Sequence, residues 1–249
     1  MSIINAFDIE SDEILKPVHL AEKIENFPEI AVVTFNARTM DFLEKLPKFE
    51  KIGEMNGGRI PIYQIEHKNK TIAVYHTVIG GAGTVGYLEL MVVKGTKKFI
   101  FFGSCGTLDK NISSGNFIVP TAAYRDEGTS YHYLKASDYV EVKTADKLSK
   151  IMHDLGLPHI KTKTWTTDGL FRETKNNMIK RKSEGCLTVE MECASIMAAG
   201  QFRGVEVYQF FYTEDNLDST EWERRSLGSV TLDTREKYLH IALDIASIV

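Results

Sequence analysis

The feature that most constrains this chain is an alternation. Short apolar runs rich in Val, Ile, Phe and Tyr are separated by longer stretches whose apolar residues recur at helical spacing. Residues 30–35, 60–66, 71–79, 99–102, 117–123, 162–166 and 205–212 have the length and side-chain type of strands. Several are apolar throughout rather than at every second position, as strands covered on both faces are. Between them, residues 39–46, 85–94, 145–155, 190–202 and 231–248 read as helices. Thr144 is a candidate cap for the third of these and Gly156 its stop. This order predicts an α/β fold, a central, largely parallel or mixed sheet with helices on both faces. No composition shift marks a linker and no segment repeats, so residues 1–249 are read as a single domain.

Composition removes several function classes. Asp plus Glu total 34 against 30 Lys plus Arg, a formal charge of -4. That balance argues against a nucleic-acid footprint. No run approaches the roughly 18 apolar residues of a membrane helix, and the opening MSIINAFDIESDE lacks a signal pattern. A cytoplasmic protein is expected. Cys105, Cys186 and Cys193 are too few and odd in number for a disulfide framework, and neither they nor the histidines have metal-ligand spacing. No metal is expected.

Two glycine segments stand out. Gly81-Ala82-Gly83-Thr84-Val85-Gly86 has the G-x-G-x-x-G form between a predicted strand and a predicted helix. A dinucleotide site also needs a carboxylate about 20 residues on, where the chain reads Phe99-Ile100-Phe101-Phe102. A nicotinamide oxidoreductase is therefore a distant alternative, behind a turn whose glycines permit close packing. Gly103-Ser104-Cys105-Gly106 reads as a second glycine turn, with a hydroxyl and backbone N–H groups suited to an anion. Cys105 has no neighbouring base and reads as a buried, inert thiol.

Carboxylates cluster late in the chain. Val189-Glu190-Met191-Glu192 opens a predicted helix. Residues two apart do not share a helix face, so one carboxylate is free to face a ligand while the other caps or pairs. Which does which stays open at this level. Asp215 follows the predicted strand 205–212, with Glu223-Arg224-Arg225 beyond it.

Together, Gly80-Gly81-Ala82-Gly83, Gly103-Ser104-Cys105-Gly106, Arg125-Asp126-Glu127-Gly128-Thr129-Ser130, Thr167-Asp168 and Val189-Glu190-Met191-Glu192 resemble one family. It is the family of nucleoside phosphorylases that holds hexameric purine nucleoside phosphorylase and uridine phosphorylase, with the related hydrolytic nucleosidases. The resemblance runs from about His19 to the C-terminus. It implies a single α/β domain with a mixed, partly barrel-like sheet. It also implies a homo-oligomer, a dimer or a trimer of dimers, whose active sites borrow residues from the neighbour. The implied reaction is phosphate-dependent cleavage of an N-glycosidic bond, with nucleoside and phosphate as substrates and no cofactor.

The resemblance assigns roles residue by residue. Glu192, Met191 and His19 match the ribose-binding positions, His19 reaching a neighbour's site. Arg38 and Ser104 match phosphate-binding positions, and Arg59 the arginine lent by the neighbour. Asp215 matches the acid of the purine enzymes, and Arg224 the arginine that assists it. Leu170, Phe171 and Glu190 fall at the base side. The chain departs from the pattern at three places. Phe101 stands where a second phosphate-binding arginine is usual, Thr34 replaces a glycine, and Leu170 takes the place of a stacking Phe. Exchange of a guanidinium for an apolar ring removes a bidentate anion contact. A purine-leaning phosphorylase is the first reading. A nucleoside hydrolase and a non-catalytic nucleoside-binding protein are the alternatives.

Overall fold

The computed structural model describes residues 2–249. Ten strands form one sheet: β1 (Ile30–Thr34), β2 (Glu50–Met55), β3 (Ile60–His67), β4 (Lys70–His76), β5 (Lys98–Thr107), β6 (Phe117–Asp126), β7 (Tyr139–Glu141), β8 (His159–Thr167), β9 (Cys186–Glu190) and β10 (Glu206–Asn216). Five α-helices are described: α1 (Gly81–Lys94), α2 (Ala145–Asp154), α3 (Lys175–Ser183), α4 (Cys193–Arg203) and α5 (Leu232–Ile248). The strand order runs β10-β6-β8-β9-β5 and then β1-β4-β3-β2. β10 also pairs with β5, so the first five strands close into a barrel and the other four extend it as a wing. Pairing is mixed: β1–β5, β5–β10 and β6–β8 are parallel, and β5–β9 and β6–β10 are antiparallel. The predicted α/β class with a mixed, partly barrel-like sheet is the fold observed.

The apolar strands are buried for the reason their composition suggests. Ala31, Val32, Val33, Phe99, Ile100, Phe101 and Phe210 are fully buried between the helical layers. Burial of each large apolar side chain contributes about 1.5–3 kcal/mol. A second, smaller cluster of Leu108, Trp165, Met178, Cys186 and Val189 lies at the barrel end under α3.

Several boundaries differ from the sequence reading. Gly103-Ser104-Cys105-Gly106 is not a turn but part of β5. Its glycines serve close approach: a Cβ at 103 would stand 2.8 Å from the Phe35 ring, and one at 106 2.8 Å from Leu217. Asp215 likewise lies within β10, beyond the predicted strand end, where the register with β5 shifts between Thr213 and Asn216. Glu190 ends strand β9 rather than opening a helix, and α4 starts at Cys193. The G-x-G-x-x-G segment lies inside the first turns of α1, not in a loop ahead of it. Residues predicted as a helix at 39–46 form a 3-10 helix, Ala37–Lys45. Strands β2, β7 and β9 and helix α3 were not anticipated. β2 and α3 carry too many charges to show an apolar period. β7 and β9 are three and five residues long and gain their hydrogen bonds only from distant partners.

Candidate active site

A cavity of about 410 Å³ opens where β5, β9 and β10 end. Its walls carry Ser104 and the neighbouring glycines of β5, Glu190 to Glu192 between β9 and α4, and Gln209, Phe211, Tyr212, Glu214 and Asp215 of β10. Asn36, Leu170, Glu173 and Arg235 complete the polar and outer rim. The charged lining is strongly acidic: Glu173, Glu190, Glu192, Glu214 and Asp215 face a single guanidinium, Arg235.

The two adjacent carboxylates have separate tasks. Glu190 Oε2 accepts the backbone N–H groups of Glu192 and Cys193, both at 2.7 Å. Its Oε1 accepts the hydroxyls of Thr166 at 2.5 Å and Thr164 at 3.4 Å. Glu190 therefore caps α4, satisfying donors that every helix start leaves open. Glu192 occupies the cap position of α4 and its Oε1 accepts the Gly80 N–H at 2.7 Å. Gly80 has φ +101, a left-handed conformation that side chains disfavour. That turn aims its N–H at Glu192. Next to it, α1 and α4 meet at their N-termini: a Cβ on Gly81 would lie 2.7 Å from Ser195 Cβ. Two positive helix ends thus converge beside Glu192.

Burial raises these carboxyl groups above their usual range. Burial first and the neighbouring Glu190 second push Glu192 to about 8. Burial pushes Glu190 to about 7 against the pull of its own hydrogen bonds. Glu173 is pushed to about 7 by burial and then by Asp215, and burial also raises Glu214. Perturbed groups gathered in one cavity mark a candidate active site. Asp215 Oδ2 accepts the Trp222 indole N–H at 2.8 Å. The free thiols of Cys105 and Cys193 are buried and pushed up, so neither is an activated nucleophile.

Six residues singled out from sequence line this cavity: Ser104, Leu170, Glu190, Met191, Glu192 and Asp215. The other five do not. Arg38 is exposed on the 3-10 helix after β1, its backbone N–H donated to Asn36 Oδ1 at 3.0 Å. Arg59 is exposed at the β2–β3 turn, and His19 is exposed on the short helix Pro17–His19. Phe171 is 94% exposed. Arg224 donates its Nε–H to the Leu227 carbonyl at 2.9 Å, so the hydrogen bond to Asp215 comes from Trp222 instead. Phe101 is fully buried against Phe99 and Phe35, with ring centroids 6.1 and 6.2 Å away. Thr34 is buried and its hydroxyl accepts the Asn36 N–H at 3.2 Å.

Sequence reasoning missed Asn36, Glu173, Gln209, Glu214 and Arg235. Gln209 carried a signal: it is an uncharged amide inside an otherwise aromatic run, Tyr208-Gln209-Phe210-Phe211-Tyr212. Glu173 and Arg235 carried none, because their elements reach the cavity only through the tertiary fold.

The architecture and the acidic pocket at the strand ends define a class. Residues 29–242 match the model of the Phosphorylase superfamily, and the chain belongs to that family. It is 26% identical over 215 residues to a DeoD-type purine nucleoside phosphorylase of Clostridium novyi, covering 83% of this chain and 87% of that one. A DeoD-type purine nucleoside phosphorylase of Exiguobacterium is 24% identical over 213 residues, with 82% and 85% covered. An uncharacterized protein of Acanthamoeba polyphaga mimivirus is 29% identical over 144 residues, which span 57% of this chain and 55% of the viral protein. Among solved structures, purine nucleoside phosphorylase from Toxoplasma gondii in complex with immucillin-H superposes with a TM-score of 0.75. It is 19% identical, with 89% of this chain and 91% of that one covered. That likeness speaks for the fold.

Proposed function

We propose that this chain is a phosphate-dependent nucleoside phosphorylase that cleaves purine nucleosides to free base and ribose 1-phosphate. The observation that carries the reading is the presence in one cavity of Glu192, buried and tied to the Gly80 N–H, and Asp215. Glu192 accepts the ribose hydroxyls, with Met191 against the sugar. In its ionised form Glu192 favours the positive charge that grows on the sugar as the bond to the base lengthens. A phosphate oxygen attacks the anomeric carbon, and the electrons of the N-glycosidic bond leave with the base. Asp215 shares a proton with the departing purine nitrogen, and general acid help of this kind is worth about 10²–10⁴ in rate. Glu173, whose carboxyl burial holds above its usual range in the same cavity, supplies that proton. Leu170 borders the base, with Phe171 beside it on the same short helix.

Phosphate is a co-substrate and no cofactor takes part. Ser104 and Arg38 hold it, with Arg59 and His19 contributed by a neighbouring subunit of a homo-oligomer with shared sites. The exposure of Arg59 and His19 away from their own chain's cavity supports the sharing. A cytoplasmic location agrees with the absence, among the described residues, of a helix long and apolar enough to cross a membrane.

A second reading, hydrolysis of the same bond by water, is favoured by two observations. The cavity wall carries five carboxylates to one arginine, and Phe101 is buried in the core. A nucleoside panel with and without phosphate separates the two. Ribose 1-phosphate formed only with phosphate supports phosphorolysis, free ribose without it supports hydrolysis, and binding without product overturns both. Asp215→Ala should lower kcat at least a hundredfold with little change in KM. Turnover of inosine at the wild-type rate would remove Asp215 from the mechanism.

A further inference from the structure

Gln209 is fully buried, lines the cavity, and neither its Oε1 nor its Nε2 has a hydrogen-bond partner in the protein. A buried amide left unpaired is destabilising, so a chain that retains one gains something from it elsewhere. Its place is specific. Gln209 of β10 stands in register with Phe101 of β5, so the two side chains lie side by side on one face of the sheet. Phe35 packs its ring toward Phe101 and over Gly103 of the same wall. The amide is thus the polar group next to the buried ring, at the foot of the strand segment that carries Ser104.

We propose that Gln209 is a specificity-determining residue that holds the attacking nucleophile through an O–H group. The proposal rests on the bond-cleavage reading above and names the partner of that site. A side-chain amide offers two donors and one acceptor. A ligand that satisfies both orphaned ends must itself accept and donate. Hydrogen phosphate does so through an oxygen and its O–H, and water does so as well. Sulfate, fully deprotonated near neutral pH, only accepts and leaves Oε1 unpaired. A neutral amide also suits a wall where five carboxylates already disfavour a fully charged anion. No bond to Gln209 forms or breaks. It orients the nucleophile and selects its protonation form.

The test uses the full-length chain with inosine, phosphate and sulfate. In the wild type, sulfate should compete with phosphate at least tenfold more weakly than phosphate itself binds. Gln209→Leu should raise KM for phosphate about tenfold or more, leave KM for inosine within twofold, and leave Tm unchanged or higher because an unsatisfied amide has gone. Gln209→Glu, which keeps an acceptor and adds a charge, should impair phosphate use further. A Tm that falls in Gln209→Leu with unaltered phosphate KM would overturn the proposal and make the amide a structural group. Equal competition by sulfate and phosphate would overturn it too. If the wild type instead releases free ribose without phosphate, the phosphorolysis reading fails on its own. The Gln209 proposal is then read on the water-dependent kcat, which Gln209→Leu must lower at least tenfold, and an unchanged kcat refutes it.

Discussion

Removal of Glu190 should damage the fold, whereas removal of Glu192 should damage the chemistry, although the two are separated by one residue. In Glu190→Ala the N–H groups of Glu192 and Cys193 lose their shared acceptor, and the hydroxyl of Thr166 loses its own. A buried donor left unsatisfied costs about 1–3 kcal/mol, and loss of a helix cap typically costs about 1 kcal/mol. Part of the sum is returned because a buried carboxylate is no longer carried. The net loss should be about 3 kcal/mol, and at about 2–4 °C per kcal/mol for a chain of this size the melting point should fall by roughly 6–12 °C. Glu190→Gln keeps one oxygen for the backbone donors and lets the Thr166 hydroxyl turn to accept, so it should lose less than half as much. Glu192→Ala frees the Gly80 N–H, which belongs to a partly exposed turn residue rather than to the core. Its melting point should move by less than about 3 °C. Its kcat/KM should drop at least about a hundredfold, since two hydrogen bonds to a charged acceptor are each worth about 1.5–3 kcal/mol. Scanning calorimetry and a base-release assay on the same preparations decide the matter. A Glu190→Ala variant that melts with the wild type, or a Glu192→Ala variant that unfolds while Glu190→Ala stays intact but inactive, would refute the division of roles.

Three other outcomes follow from the geometry. Glu192 binds its proton more tightly folded, at about 8, than at its ordinary 4.5, so the native state takes up protons and stability falls as pH rises through that window. The difference in unfolding free energy between Glu192→Gln and the wild type should therefore grow from pH 5 to pH 8, and parallel curves in urea titrations would refute it. Gly81→Ala should cost about 1–3 kcal/mol by overpacking against Ser195, and Ser195→Gly in the same chain should recover most of it in a double-mutant cycle. Phe101→Arg places a guanidinium among the buried rings of Phe99 and Phe35, with only the neutral Gln209 amide beside it, so the free energy of unfolding should fall by several kcal/mol. A soluble variant of wild-type stability would show that the side chain has a route to the cavity.

The relation between sequence and structure varies with how local the cause is. Alternating apolar runs and amphipathic stretches determined the α/β class, because burial of a strand on both faces and of a helix on one stripe are local patterns. The order of the glycine, Glu-Met-Glu and Asp segments was enough for the family. Tertiary structure alone decided which carboxylate caps and which faces the cavity. That choice depends on Thr164 and Thr166 of β8 and on Gly80 after β4, all far away in the chain. It also extended β5 and β10 past their predicted ends, because barrel closure between those strands supplies hydrogen bonds that residues 103–107 and 213–216 cannot form locally. Likewise, Arg224 and Trp222 are equivalent candidates along the chain, and only the folded loop directs the indole to Asp215. Period and composition are properties of neighbours in sequence. A cavity is a property of neighbours in space, and Gln209, Glu173 and Arg235 acquire their place in it only when the barrel closes.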